Sequence, residues 1–132
     1  MISFYNIMTI KSSQTLIEEA LKTVKTISPE EALKLLNENK CNLIDIRDAV
    51  ELQNLGSVEK SFHISRGLLE FSIHPESAYA QKVKLDPNKE MVLFCAAGGR
   101  SALAAKTLNE MGFDKVSHVD GGFGAMKNSG FK

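Results

Sequence analysis

Cys95 stands where an apolar run gives way to a glycine turn. The stretch "MVLFCAAGGRSALAAKTL", Met91 to Leu108, passes from a strand-like run through Cys95 to Gly98, Gly99 and Arg100, and then into helical spacing. A strand, a tight glycine turn and a helix N-terminus together make an anion cradle. The backbone N–H groups of Ala96, Ala97, Gly98, Gly99, Arg100 and Ser101 can curl inward as a nest, and the helix dipole adds its positive end. Gly98 and Gly99 admit the left-handed torsions that such a curl needs. A thiol in that cradle is favoured as its thiolate, the nucleophilic form. Arg100 adds a permanent charge and donors for an oxyanion. A cysteine ending a buried strand is commonly just a small hydrophobe. The Gly-Gly-Arg-Ser continuation into a helix is what argues for a reactive one. The loop lacks the Gly-x-x-x-x-Gly-Lys-Ser/Thr spacing of a nucleotide P-loop.

The elements that would hold this loop are legible on either side. "SSQTLIEEALKTVKT" has Leu16, Ile17, Ala20, Leu21 and Val24 at helical spacing, with Ser12 or Ser13 as N-cap. Ser28-Pro29-Glu30-Glu31 is a capping-box helix start for "PEEALKLLNENK". "CNLIDIRD" reads as a strand ending near Asp45 to Arg47, and "AVELQNLG" as a short helix closed by Gly56. "SFHIS" reads as a strand and "RGLLEFSI" as helical. "HPESAYAQKVKLDPNKE", polar and with two prolines, reads as a surface loop. "EMVLFC" is a continuous apolar strand of the kind covered on both faces. In "GRSALAAKTLNEMG" the spacing puts Leu103, Ala104, Leu108 and Met111 on one face, with Gly112 ending the helix. "KVSHVDGG" reads as a last strand before a short closing helix.

This alternation predicts an α/β fold: a mostly parallel central sheet of about five strands with helices on both faces. Ligands in such sheets bind outside the carboxyl ends of the strands. Cys95, Asp45, Arg47, Arg66, Asp120 and Gly121 all fall at such ends. Cys41 begins its strand, and a strand of about five residues spans roughly 15 Å. That exceeds the approximately 7 Å Cα limit for a disulfide to Cys95, so Cys41 is expected to be a small buried residue. The first 25 residues read as an N-terminal helical extension (1–25) on a main domain (26–132).

Bulk properties exclude several classes. The chain has 132 residues, suiting one domain, with sixteen basic residues balancing sixteen acidic ones. That balance gives no reason to expect nucleic acid or an anionic membrane as partner. Two cysteines and three scattered histidines (His63, His74, His118) make neither a disulfide scaffold nor a metal-ligand cluster. No apolar run approaches the roughly 20 residues of a membrane span. "MISFYNIMTI" lacks the basic n-region and small-residue cleavage site of a signal peptide, so a cytoplasmic location is expected.

Three segments in order resemble the single-domain rhodanese-like sulfurtransferases over about residues 26–132. "LIDIRDAVELQNLGSVEKSFHISRGLLEF" resembles the family's first signature. "CAAGGRSALAAKTLNEMGF" is similar to its active-site loop and following helix, and "VSHVDGGFGAMKNSG" to its closing segment. The resemblance implies a Cys95 that attacks a sulfane sulfur donor such as thiosulfate and becomes a persulfide. A thiophilic acceptor, cyanide or a thiol on a small molecule or a protein, then removes the sulfur. No cofactor is implied. By position, Cys95 is the nucleophile, Ala96 to Arg100 the loop, and Arg100 the group that holds the donor's sulfonate. Four residues separate Cys95 from Arg100. Related phosphatases carry one more, giving a ring sized for a tetrahedral phosphate or arsenate rather than a single sulfur. Two positions depart from the family pattern: Gly56-Ser57-Val58 replaces the common Gly-His-Ile, and Met126 replaces a frequent Trp. Two other readings accompany the leading one: a persulfide carrier or redox-sensing module for a protein partner, and a phosphatase or arsenate reductase.

The remaining polar residues are assigned by position. Asp45 and Arg47 are expected to form a structural pair beside the pocket. Arg66 either pairs with Glu70 one turn on or reaches the pocket rim. His63, within a strand, is expected to be structural.

Overall fold

The computed structural model describes residues 9–132, so the opening residues 1–8 lie outside it. In chain order the elements are α1 (Ser13–Leu21), β1 (Lys25–Ile27), α2 (Pro29–Asn37), β2 (Cys41–Asp45), α3 (Ala49–Leu55) and β3 (Phe62–His63). A 3₁₀ turn (Arg66–Leu68) runs directly into α4 (Leu69–Ser72). Then follow α5 (Ala78–Val83), β4 (Glu90–Phe94), α6 (Gly99–Met111), β5 (Val116–Val119) and α7 (Gly122–Asn128). The five strands form one sheet in the order β1-β5-β4-β2-β3, with every neighbouring pair parallel. The expected α/β architecture is the observed one. Among the described residues, no helix is long and apolar enough to cross a membrane.

Why β4 reads as an unbroken apolar run from Met91 to Phe94 is clear from its two faces. Met91 and Leu93 of β4 join Ile44, Leu69, Ile73, Ala104, Ala105 and Leu108 in one cluster. Val92 and Phe94, alternating with them, join Leu43, Ala32, Val119, Met126 and Phe131 in a second. The strand's period of two sends successive side chains to opposite layers, and helices cover both. Met126 is fully buried in the second cluster.

The structure corrects four local readings. The helix over 12–26 ends at Leu21, and Lys25–Ile27 is an edge strand, paired Thr26 to His118 and Ile27 to Val119 on β5. A three-residue strand carries too little periodicity to be separated from an amphipathic helix before it. The supposed surface loop over 74–90 contains α5, whose N-cap Ser77 accepts a hydrogen bond from the N–H of Ala80 at 3.0 Å. The "RGLLEFSI" helix divides into the 3₁₀ turn and α4. Finally, α6 buries Ser101, Ala102, Ala104, Ala105 and Leu108, while Met111 is exposed. Alanines with little side chain let the helix lie close to the sheet, so the buried stripe follows the small residues and not the large one. The α1 helix packs on α6.

Ser12 and Ser28 act as the N-caps expected of them, accepting from the N–H of Thr15 and of Glu31 at 3.1 Å each. Cys41 and Cys95 are both free thiols, as their placement at opposite ends of neighbouring strands requires.

Candidate active site

The chain leaves β4 at Phe94, turns through residues 95–98, and enters α6 at Gly99. Gly98 caps the helix at φ +116°, a left-handed torsion that residues with a Cβ rarely adopt. Gly99 is helical, contrary to the expectation that both glycines bend the loop. A Cβ there would come within 2.9 Å of the Ile17 side chain on α1, so its smallness serves packing.

This turn wraps its backbone around sulfur. Cys95 is 1% exposed, and its Sγ accepts hydrogen bonds from the N–H of Gly98 at 3.2 Å and of Ser101 at 3.3 Å. Of the six N–H groups expected to line the nest, those of Gly98 and Ser101 meet Sγ. Backbone N–H groups converging on one point make the loop a cradle suited to an anionic group.

The loop is clamped from below by the start of α7. The N–H of Phe123 donates to the Cys95 carbonyl at 2.8 Å. A Cβ on Gly122, whose φ is +60°, would sit 2.5 Å from that same oxygen and 2.7 Å from the Ala96 carbonyl carbon. Both obstacles are backbone and cannot swing away. Gly122→Ala is therefore expected to lose about 1–3 kcal/mol of stability and to displace the Cys95 loop. Urea denaturation reads the first effect and the rate of Cys95 alkylation the second. A variant with wild-type values in both would show that the clamp is not tight.

Arg100 is paired with Glu51. Its Nη1 and Nη2 donate to Glu51 Oε2 and Oε1 at 2.8 and 2.9 Å, a two-pronged pair between α6 and α3. Glu51 also accepts from the N–H of Asp48 at 2.8 Å, holding the start of α3. The Arg100 guanidinium keeps the Glu51 carboxyl well down, at about 2, despite the opposing effect of burial. Glu51 in turn pushes Arg100 further up. The resemblance points Arg100 at a donor's sulfonate, and nothing in the sequence singles out Glu51. A glutamate three residues after Asp48 signals only a helix cap, and nothing local links it to a residue 49 positions on.

Asp45 and Arg47 form the expected pair, both 0% exposed. Arg47 Nε and Nη2 donate to the Asp45 carboxylate at 3.0 and 2.7 Å, and Nη2 also to the Gly56 carbonyl at 2.9 Å. The guanidinium lies 3.9 Å from the centre of the Phe123 ring, so the pair props up the α7 clamp. Arg66 donates to Glu70 at 2.8 Å and to Thr107 at 3.2 Å, settling on the flank of α6. His63 Nε2 is 2.7 Å from the Arg47 carbonyl. Among the described residues, no cluster of three His, Cys, Asp or Glu side chains could hold a metal ion.

A sequence model of the rhodanese-like domain matches residues 28–129. The chain belongs to the rhodanese-like family. A solved structure from Wolinella succinogenes, a homodimeric polysulfide-sulfur transferase, is 37% identical to this rhodanese-like chain. It covers 87% of this chain and 81% of its own, with a TM-score of 0.67. A Rhodopseudomonas palustris structure, described as a protein of unknown function and possible tyrosine phosphatase, is 38% identical, with a TM-score of 0.82 and coverage of 94% and 96%. Among curated proteins, the tRNA uridine(34) hydroxylase of Chlamydia trachomatis is 33% identical over 105 residues, or 79% of this chain. The match takes in only 31% of that relative's own length.

Proposed function

We propose that this rhodanese-like protein is a sulfurtransferase that moves a sulfane sulfur from a small donor such as thiosulfate to a thiophilic acceptor. The observation that carries the proposal is the Cys95 sulfur, buried at a strand's carboxyl end and held by the N–H groups of Gly98 and Ser101. In the first half-reaction the Cys95 sulfur attacks the sulfane sulfur. A new S–S bond forms, the donor's S–S bond breaks, and sulfite leaves with its electron pair. The terminal sulfur of the resulting persulfide carries the negative charge that loop N–H groups stabilise. In the second, cyanide or a thiol attacks that outer sulfur and the Cys95 sulfur leaves. Two half-reactions on one covalent intermediate give ping-pong kinetics.

Further support comes from the Wolinella transferase, 37% identical over most of both chains. The partners of the proposal are a small sulfur donor and a thiol acceptor, the latter on a small molecule or a protein. Two free thiols suit a reducing compartment, and the cytoplasm is the location proposed.

The test is mass analysis of the intact protein after incubation with thiosulfate, together with thiocyanate formation from thiosulfate and cyanide. One added sulfur per chain and steady turnover are expected. Loading without turnover on small acceptors would replace the enzyme with a carrier that serves a protein partner. The Rhodopseudomonas description raises a phosphatase, but the four residues between Cys95 and Arg100 match the shorter loop that the resemblance associates with sulfur transfer. Cys95-dependent hydrolysis of an aryl phosphate would overturn the proposal.

Glu51 bears on the choice of donor. Its carboxylate occupies Arg100 and sets a negative charge against an incoming dianion. Glu51→Gln keeps an acceptor for the Asp48 N–H while freeing the guanidinium. The KM for thiosulfate is expected to fall about fivefold, in keeping with the roughly 1 kcal/mol scale of an exposed ion pair. An unchanged KM would place Arg100 outside donor binding.

A further inference from the structure

Behind its two N–H donors, the Cys95 sulfur also meets a side chain. Ser101 Oγ lies 3.5 Å from Sγ, and the same hydroxyl is 2.9 Å from Nδ1 of His118. Across the ring, His118 Nε2 is 2.8 Å from Thr26 Oγ1. Cys95, Ser101 and His118 are 1%, 0% and 2% exposed, whereas Thr26 is exposed on the edge strand β1. An unbroken row of hydrogen-bonding groups therefore leads from the buried sulfur to solvent. Strand register builds it: His118 of β5 stands beside Thr26 on β1 and Leu93 on β4, and Ser101 descends from the first turn of α6.

We infer that His118, acting through Ser101, takes up the proton of the Cys95 thiol as sulfur is loaded, and that Thr26 is the proton's exit to solvent. The inference rests on the reading of Cys95 as the sulfur-accepting nucleophile. Written in full, the Cys95 thiol, neutral His118 and thiosulfate dianion become the Cys95 persulfide anion, the His118 imidazolium and sulfite dianion. One S–S bond forms, one breaks with the electron pair leaving on sulfite, and the proton passes from Sγ to Ser101 Oγ as the Ser101 proton passes to Nδ1. The imidazolium then releases a proton from Nε2 towards Thr26.

The surroundings of the ring suit this task. Burial holds His118 below the ordinary histidine range, so the ring is neutral and able to accept at neutral pH. The Asp120 carboxylate, two residues on, pulls the other way and favours the imidazolium once it forms. Towards the ring β1 presents Thr26, β4 presents apolar Leu93 and α6 presents Ser101. A neutral ring carrying its proton on Nε2 donates to Thr26 and leaves Nδ1 free to accept from Ser101. His118 is thus a positioning residue that acts through Ser101.

His118→Asn tests this, because the asparagine amide oxygen can accept from Ser101 in place of Nδ1 but cannot take a proton. Sulfur uptake from thiosulfate and alkylation of Cys95 by iodoacetamide are followed across pH in both proteins, with thermal melting as the check of folding. Wild-type uptake is expected to fall on the acid side as His118 becomes charged. The variant should lack that limb and load about a hundredfold more slowly at neutral pH, within the usual range for a lost proton acceptor. Equal rates would overturn the inference, and so would a slower variant with the wild-type pH profile, since that marks a merely structural role. If wild type loads no sulfur, the sulfurtransferase reading fails, while the alkylation profiles of the two proteins still decide the relay: superimposable profiles sink it. Should His118→Asn fail to fold, Thr26→Val removes the exit at an exposed position. Uptake several-fold slower is expected there, and an unchanged rate counts against the relay.

Discussion

Cys95→Ser is expected to keep the fold and lose sulfur transfer by at least about a thousandfold, the scale on which losing a covalent nucleophile registers. Serine is nearly the shape of cysteine, and its oxygen can accept the N–H groups of Gly98 and Ser101 that now meet Sγ at 3.2 and 3.3 Å. The loop geometry therefore survives. A hydroxyl, however, is not ionised near neutral pH and forms no persulfide. The other thiol cannot stand in. Cys41 opens β2 at the far end of the sheet, opposite Glu90, and burial followed by the Glu90 carboxylate pushes its thiol up to about 11. Cys41→Ala should accordingly leave transfer intact. The two variants are compared by thiocyanate formation and by intact mass after thiosulfate. Retained loading in Cys95→Ser would refute the mechanism, and loss of activity in Cys41→Ala with an unchanged melting temperature would make Cys41 a participant.

Arg47→Ala should be the most destabilising single change at the site. Arg47 and Asp45 are both completely buried. Removing the guanidinium leaves the Asp45 carboxylate with no countercharge in the interior, which typically costs about 3–5 kcal/mol. Against a total stability of about 5–15 kcal/mol, that approaches global unfolding. The damage also reaches the sulfur loop. The guanidinium packs 3.9 Å from the Phe123 ring, and the Phe123 N–H holds the Cys95 carbonyl at 2.8 Å. A double variant, Asp45→Leu with Arg47→Met, removes both charges and should recover much of the stability. It should not recover full activity, because Phe123 has lost its cationic platform. Urea denaturation of the single and double variants reads the first statement and turnover the second. A single variant within about 1 kcal/mol of wild type, the scale of an exposed pair, would mean that the pair is solvated rather than buried.

Much of the architecture is legible along the chain because local patterns carry it. The apolar run from Met91 to Phe94 can be satisfied only by a sheet covered on both faces, and the two core clusters are that arrangement. Ser28-Pro29 starts a helix and Gly56 ends one through their own backbone preferences. The sulfur loop is local too, spanning only the few residues from Cys95 to Ser101, so its strand, turn and helix start announce themselves together.

What escaped the sequence depends on residues far apart in the chain. Lys25–Ile27 becomes a strand because β5 offers it a free edge, and so short a segment has no pattern of its own to declare this. Met111 falls on the exposed side because α6 sits so close to the sheet that only alanines, a serine and Leu108 fit beneath it. The partners of the sulfur site are the clearest case. Glu51 reaches Arg100 across 49 positions, Thr26 meets His118 across 92, and Ser101 meets His118 across 17. Taken alone, each is a helix cap, an edge threonine or a strand histidine. The sequence by itself determined a doubly covered parallel sheet and a cysteine in a backbone cradle, since adjacent residues encode both. Only the tertiary structure decided that Glu51 occupies the arginine and that a hydroxyl and an imidazole connect the sulfur to solvent. Those contacts exist through sheet order and register, which are set by the packing of the whole core.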